Sequence, residues 1–137
     1  MASKHSVVIA EPVRTAIGTF GGTVVIGNAV QAGNKMNPAR QAAIYAGLPV
    51  QVPAMTVNRV RGSGTQAIVS AAHEILMGSL DTAVAGGMEN MDAAPYLVPR
   101  GRWGHRMGDA VLYDSVLRDG LNDAFRMNTR VGIRKIW

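Results

Sequence analysis

No cysteine occurs anywhere in the 137 residues, which excludes a disulfide framework, a thiolate nucleophile and a cysteine-bound zinc site. Without thiols the chain carries no mark of its redox compartment. Histidine is scarce too: His5, His73 and His105 stand apart, with no i,i+4 or His-Glu ligand spacing, so no metal site is expected. No apolar run approaches the roughly 20 residues that span a bilayer. Met1–Ala10 offers one lysine and one short apolar run in place of a secretory leader. A soluble, cytoplasmic protein with no membrane partner is the expectation.

Acids are missing from residues 126–137, which hold Arg126, Arg130, Arg134 and Lys135, four of the 14 basic residues. The rest of the chain sets ten bases against nine acids, so the net charge of +5 comes mostly from this tail. A basic tail that ends in Ile136 and Trp137 lacks the clustering of a nucleic-acid module, and it reads as a solvated end. No nucleic-acid partner is expected. What the chain does have is 47% hydrophobic and only 17% charged residues, spread along its length, in a size that allows one modest domain.

Ser6–Ala10 (SVVIA) is a short β-branched run that reads as a buried strand and stops at Glu11-Pro12. Residues 11–23 carry three glycines and a proline and read as a loop. Val24–Ala32 is a second strand candidate, with a turn at Gly33-Asn34. Joining two parallel strands takes a crossover of about a dozen residues or more, usually helical, and the loop barely supplies it. Asn37 as cap with Pro38 at the first helical position starts a helix that runs through Ala46 to Gly47. Val52–Val60 reads as a strand leading into the turn Arg61-Gly62-Ser63-Gly64. Ala67, Ile68, Ala71, Ala72, Ile75 and Leu76 then form an apolar stripe of helical period that closes at Gly78. Thr82–Ala85 is a short strand before Gly86-Gly87. Past Asn90 the pattern fades into a loop with Pro95, Pro99, Gly101 and Gly104, followed by a helix expected over Ala110–Leu117. Alternating strands and helices predict an α/β layer with a mainly parallel sheet.

The stretch from Gly27 (GNAVQAGNKMNPARQ) through Arg100, with NRVRGSG and AGGMENM at their spacing, resembles the amino-terminal domain of the thiolases. The opening VVIAEPVRTAIGTFGG is similar to the start of that family, and the similarity continues from Arg102 to Phe125. The resemblance implies a thiolase-like amino-terminal layer, incomplete here. Thiolases move acyl groups to and from coenzyme A, so coenzyme A or acyl-CoA is the implied substrate and no cofactor is required. The family nucleophile is a cysteine in N-x-x-C-G-S-G, where a strand turns into a buried helix. A helix start lowers a thiol pKa, and neighbouring N–H groups stabilise an acyl-transfer oxyanion. Here that segment is Asn58-Arg59-Val60-Arg61-Gly62-Ser63-Gly64, with Arg61 at the nucleophile position. A guanidinium stays protonated and has no lone pair to attack a thioester. The family encloses this site, so Arg61 is expected to bury a costly charge. The segment Gly86-Gly87-Met88-Glu89 corresponds to a supporting loop in which Glu89 makes a structural hydrogen bond.

Departures from the family define the expected domain organisation. Residues 1–125 read as a partial domain with an internal deletion near 22–24, where the family has a helix, so one sheet face should lack cover. Residues 126–137 read as a non-family tail. A carboxy-terminal half, which in the family brings an activating histidine and a second cysteine, has no counterpart in this sequence. His73 reads as structural within its helix, and His105 as exposed in its loop. Ser63 has no histidine or lysine beside it and serves the turn rather than nucleophilic chemistry. Met88, Met91 and Met107 resemble family core or interface positions and read as packing residues. Arg100, Arg102 and Arg106 around Trp103 fit either a solvated loop or a subunit contact. The expected function is therefore an acyltransferase homologue inactive by itself, with two alternatives: a module docking onto an intact thiolase subunit, or a coenzyme A binding module without turnover.

Overall fold

A computed structural model of the chain describes residues 21–125, which fall into two compact units. The first comprises residues up to Ala29 together with Asn34–Glu89, and the second Val30–Gly33 together with residues from Asn90 onward. The segment Ser6–Ala10, the loop before Gly21 and the basic tail lie outside the described residues.

In the first unit the order is strand, helix, strand, helix, strand: β1 (Thr23–Gly27), α1 (Pro38–Tyr45), β2 (Ala54–Val57), α2 (Ser63–Leu76) and β3 (Ala83–Gly87). The sheet order is β2-β1-β3 and both pairings are parallel, with Val25 level with Met55 and Ala85. Alternation along β1 sends neighbouring side chains to opposite faces. Val24 packs with Ala43 of α1 and with Val52, while Val25 packs with Ala67 and Ala71 of α2. The result is a parallel sheet between two helices, the α/β architecture expected. Alanines at the contacts let each helix lie close to the strands.

Local chemistry sets the helix ends. Asn37 accepts the Arg40 N–H at 3.2 Å and Pro38 occupies the first turn. Thr56 adds to this cap, its hydroxyl accepting Ala39 N–H at 3.0 Å and donating to Asn37 Oδ1 at 2.8 Å. At the far end the Leu48 N–H reaches back to Ala43 O at 3.0 Å across the left-handed Gly47 (φ 82°). α2 closes the same way, with Ser79 N–H on Glu74 O at 3.0 Å and Gly78 at φ 73°.

Three boundaries differ from expectation. The run Val24–Ala32 stops being a strand at Gly27: the Asn28 N–H still donates to Val57 O at 3.0 Å, but the next N–H, that of Ala29, goes to the Glu89 carboxylate and the ladder ends. Val52–Val60 narrows to Ala54–Val57, the length that β1 can pair. Gly86 and Gly87 lie inside β3, since Ile26 and Gly27 supply their partners. α1 lies over β1 and β2, and Val84 of β3, on that same face, is 45% exposed.

In the second unit β4 (Tyr96–Leu97) pairs antiparallel with β5 (Tyr113–Asp114). A 3-10 turn covers Gly101–Trp103 and a π-type segment covers Val116–Leu121. The helix expected over Ala110–Leu117 is therefore displaced. The Asp114 carboxylate accepts the Val116 N–H at 2.8 Å, so helical turns begin only after it, and residues 110–112 are not helical. The Arg118 guanidinium sits 4.2 Å from the centre of the Tyr113 ring. No helix among the described residues is long and apolar enough to cross a membrane.

Candidate functional site

In open parallel sheets, ligands gather outside the carboxyl ends of the strands. There the first unit brings three segments together: Asn28-Ala29 after β1, Asn58–Gly62 after β2, and Met88-Glu89 after β3. The second leads straight into α2.

Two small residues and their neighbours let α2 start at that point. A Cβ on Gly27 would stand 2.3 Å from the Ser63 carbonyl carbon, nearer than any side-chain carbon comes to a backbone atom. One on Gly87 would meet Gly64 Cα at 3.3 Å. Gly27, Gly64 and Gly87 thus form a bare patch where helix backbone lies directly on sheet backbone. Sequence reading singled out Gly64 and Gly87 but missed Gly27, whose partner is far along the chain; a glycine ending an otherwise β-branched strand was the available signal.

The turn itself is held by its own polar groups. Asn58 Oδ1 accepts the Val60 N–H at 2.9 Å, and Asn58 Nδ2 donates to Ala29 O at 3.1 Å. Ser63, although buried, has its hydroxyl occupied: it accepts the Arg59 N–H at 2.9 Å and donates to Val60 O. A hydroxyl so engaged serves the turn. Gly62 N–H closes onto Arg59 O at 3.0 Å. Within this cage Val60 takes φ 49°, the left-handed region, where a β-branched residue is an outlier costing about 1–2 kcal/mol. The side chain of Val60 is 60% exposed, so packing offsets little of that cost.

Arg61 follows, exposed, just before the Gly62 cap of α2. The expected buried charge is not there, because the side chain reaches water at the rim of the sheet. No side chain caps α2; the Ser63 N–H turns back to Val60 O at 3.2 Å, and the helix start carries its positive partial charge beside Arg61. Arg59 leans the other way, its Nη1 donating to Gln66 Oε1 at 2.7 Å. Such a turn can offer hydrogen-bond donors and positive charge to an anion or a polarised carbonyl, but among its residues it has no nucleophile ready to act.

The supporting segment ties the three strand ends together. Glu89 accepts Asn28 Nδ2 at 2.9 Å on Oε1 and Ala29 N–H at 2.8 Å on Oε2. Asn28, itself buried, also donates to Met88 O at 3.0 Å, and Met88 N–H donates to Gly27 O. Gly86 faces open space. Sequence reading gave no role to Asn28, the buried polar residue around which Glu89 is placed. Other expectations need correction. His73 lies on the exposed face of α2, since Ala67 and Ala71 take the sheet-facing positions. Met88 and Met91 follow β3 in exposed segments and Met107 is 98% exposed, so none of them packs in a core, and of the two expected places only an interface is left. His105, by contrast, is exposed as expected, and so are the arginines around Trp103, in the second unit.

Comparison with known proteins follows the same residues. The family model described as thiolase, N-terminal domain, matches residues 22–134, running past Phe125 into the basic segment. The acetyl-CoA acetyltransferase of Cupriavidus necator is 44% identical over 149 positions, covering 87% of this chain and 38% of the relative. The acetyl-CoA acetyltransferase of Pseudomonas aeruginosa is 56% identical over 102 positions, covering 74% of this chain and 26% of its own length. A probable acetyl-CoA acyltransferase of Staphylococcus aureus is 42% identical over 149 positions, with 87% and 38% covered. The chain thus spans well under half of each relative. Alignments of 149 positions exceed the 137 residues available, so these relatives carry internal residues that this chain lacks.

Proposed function

Because the chain belongs to the thiolase family, we propose that its Asn58–Gly64 turn is the family's acyl-accepting turn and that Arg61 leaves it unable to carry an acyl group. The observation that carries this reading is the place of Arg61, between the left-handed Val60 and the uncapped start of α2. A nucleophile there would meet the positive end of the helix, and an acyl oxygen could take its N–H groups. The guanidinium instead has no electron pair to give. The 137 residues contain no cysteine, so neither of the thiols used by the family is present within them. Coenzyme A or acyl-CoA is the ligand class, with no further cofactor. In this reading the internal residues that the longer relatives carry and this chain lacks belong near Gly22–Val24.

Thiolysis of acetoacetyl-CoA by the parent chain and by Arg61→Cys tests this. The parent is expected to show no turnover and no acyl adduct by mass spectrometry. The variant should take up a single acetyl group from acetyl-CoA and stop, because acid–base groups that contribute about a hundredfold to ten-thousandfold each are missing. Multiple turnovers by the parent chain would overturn the reading.

A second reading draws on exposed apolar surface. Ile68, Val69 and Leu76 of α2 face outward in the first unit, on the side of the sheet opposite Val84. That surface supports docking onto an intact thiolase subunit. Size-exclusion chromatography with the Cupriavidus necator relative decides it: co-elution supports docking, and separate elution at micromolar concentration rejects it.

A further inference from the structure

We infer that Asn58 and Glu89 are positioning residues, joined through Ala29, whose task is to hold Val60 in the left-handed region and thereby aim the side chain at position 61. The inference rests on the proposed reading only for the meaning of position 61. Its physical basis is independent of it.

The path is continuous. Glu89 Oε2 accepts the Ala29 N–H at 2.8 Å. The carbonyl of the same residue accepts Asn58 Nδ2 at 3.1 Å, and Asn58 Oδ1 accepts the Val60 N–H at 2.9 Å. Ala29 thus links a carboxylate after β3 to an amide after β2. Asn28, donating to Glu89 Oε1 at 2.9 Å while buried to 2% exposure, fixes the carboxylate from the other side. A β-branched residue adopts positive φ only when its surroundings over-determine it. Here burial cannot do so, with the Val60 side chain 60% exposed, and the restraint must come through its backbone. Val60 O is held locally by Ser63, whereas its N–H is held by Asn58, which alone in the turn reaches another strand end.

Glycine enters the left-handed region without penalty, which makes the inference testable on the whole chain. Asn58→Ala is expected to lower the folding constant about tenfold. In a Val60→Gly background that loss should shrink by about threefold or more, a coupling typical of residues in one network. Glu89→Gln, which keeps one carbonyl acceptor, should give a smaller loss with the same coupling. Additive effects for both substitutions would overturn the inference.

A second readout separates positioning from plain stability. In an Arg61→Cys background, Asn58→Ala should change the rate of iodoacetamide alkylation about tenfold, because thiol reactivity follows its place at the helix start. Asn58→Asp, which keeps the acceptor for Val60 N–H but loses the donor to Ala29 O, should restore the rate only in part, and full restoration would remove Ala29 and Glu89 from the path. Ala71→Gly, destabilising but remote from the turn, should leave the rate unchanged. If alkylation tracks stability across all these variants, positioning is rejected. Coupling to Val60→Gly together with no acetyl uptake by Arg61→Cys would retain the positioning path and discard the acyl-accepting reading.

Discussion

At Gly27 a methyl group would overlap three backbone atoms, the Ser63 carbonyl carbon at 2.3 Å and the Gly64 nitrogen and Ser63 oxygen at 2.5 Å, and none can rotate away as a side chain could. Gly27→Ala should therefore push the start of α2 off the sheet and cost about 3 kcal/mol or more in urea unfolding. Gly64→Ala meets Gly87 Cα only at 3.7 Å, ordinary contact, and should be close to neutral. Gly87→Ala falls between them. Retained stability in Gly27→Ala would show that α2 can shift outward freely. The motif positions Asn58, Gly62, Ser63 and Gly64 were legible in the sequence because they are neighbours at fixed spacing. Gly27 and Asn28 were not, since Gly27 acquires its role from Ser63 and Gly64 and Asn28 from Met88 and Glu89, all distant in sequence and brought alongside only by the folded sheet.

The first helix shows which element boundaries a sequence can carry. Asn37, Pro38 and Gly47 act within one turn of themselves, so the limits of α1 follow from local residues alone. Strand limits depend instead on a partner's length, and Val24–Ala32 and Val52–Val60 both shrank to what the other could pair. The misplaced helix near Ala110 has a local cause of another kind. Val111, Leu112, Val116 and Leu117 imitate helical spacing, while the Asp114 carboxylate sets the start of the turns later. For α1 the cap is compound: Asn37 bonds Arg40 N–H, Thr56 and the Ala54 carbonyl. Asn37→Ala should cost about 2 kcal/mol, the upper end for a cap. Circular dichroism during urea unfolding measures it, and a loss below a few tenths would mean that Thr56 caps the helix without help.

Across the described residues, the buried hydrophobic core consists of valines and alanines: Val24, Val25, Ala39, Ala43, Val52, Ala67 and Ala71 in the first unit and Val30 in the second. Small side chains remove little apolar area from water, about 25 cal/mol per Å². Each valine therefore matters disproportionately. Val25→Ala, at 0% exposure, should lower stability by about 1–2 kcal/mol, whereas Val84→Thr on the half-covered strand should stay within about 0.5 kcal/mol of the parent. The isolated chain should unfold over a broad temperature range and bind a hydrophobic dye before it does so. A sharp transition with native near-ultraviolet dichroism and no dye binding would contradict this.

The place of β1 at the centre of the sheet sets an order of assembly during synthesis. Its second partner, β3, lies about sixty residues later in the chain, with Thr23 level with Ala83. At about 5–20 residues per second, the central strand waits roughly 3–12 s after its own translation before its second edge can be paired. Val24, Val25 and Ile26 spend that interval as an incompletely paired β-branched segment, open to other chains. Slowing translation between the codons for Gly27 and Ala83 should therefore increase the insoluble fraction of this protein without altering a single residue of it.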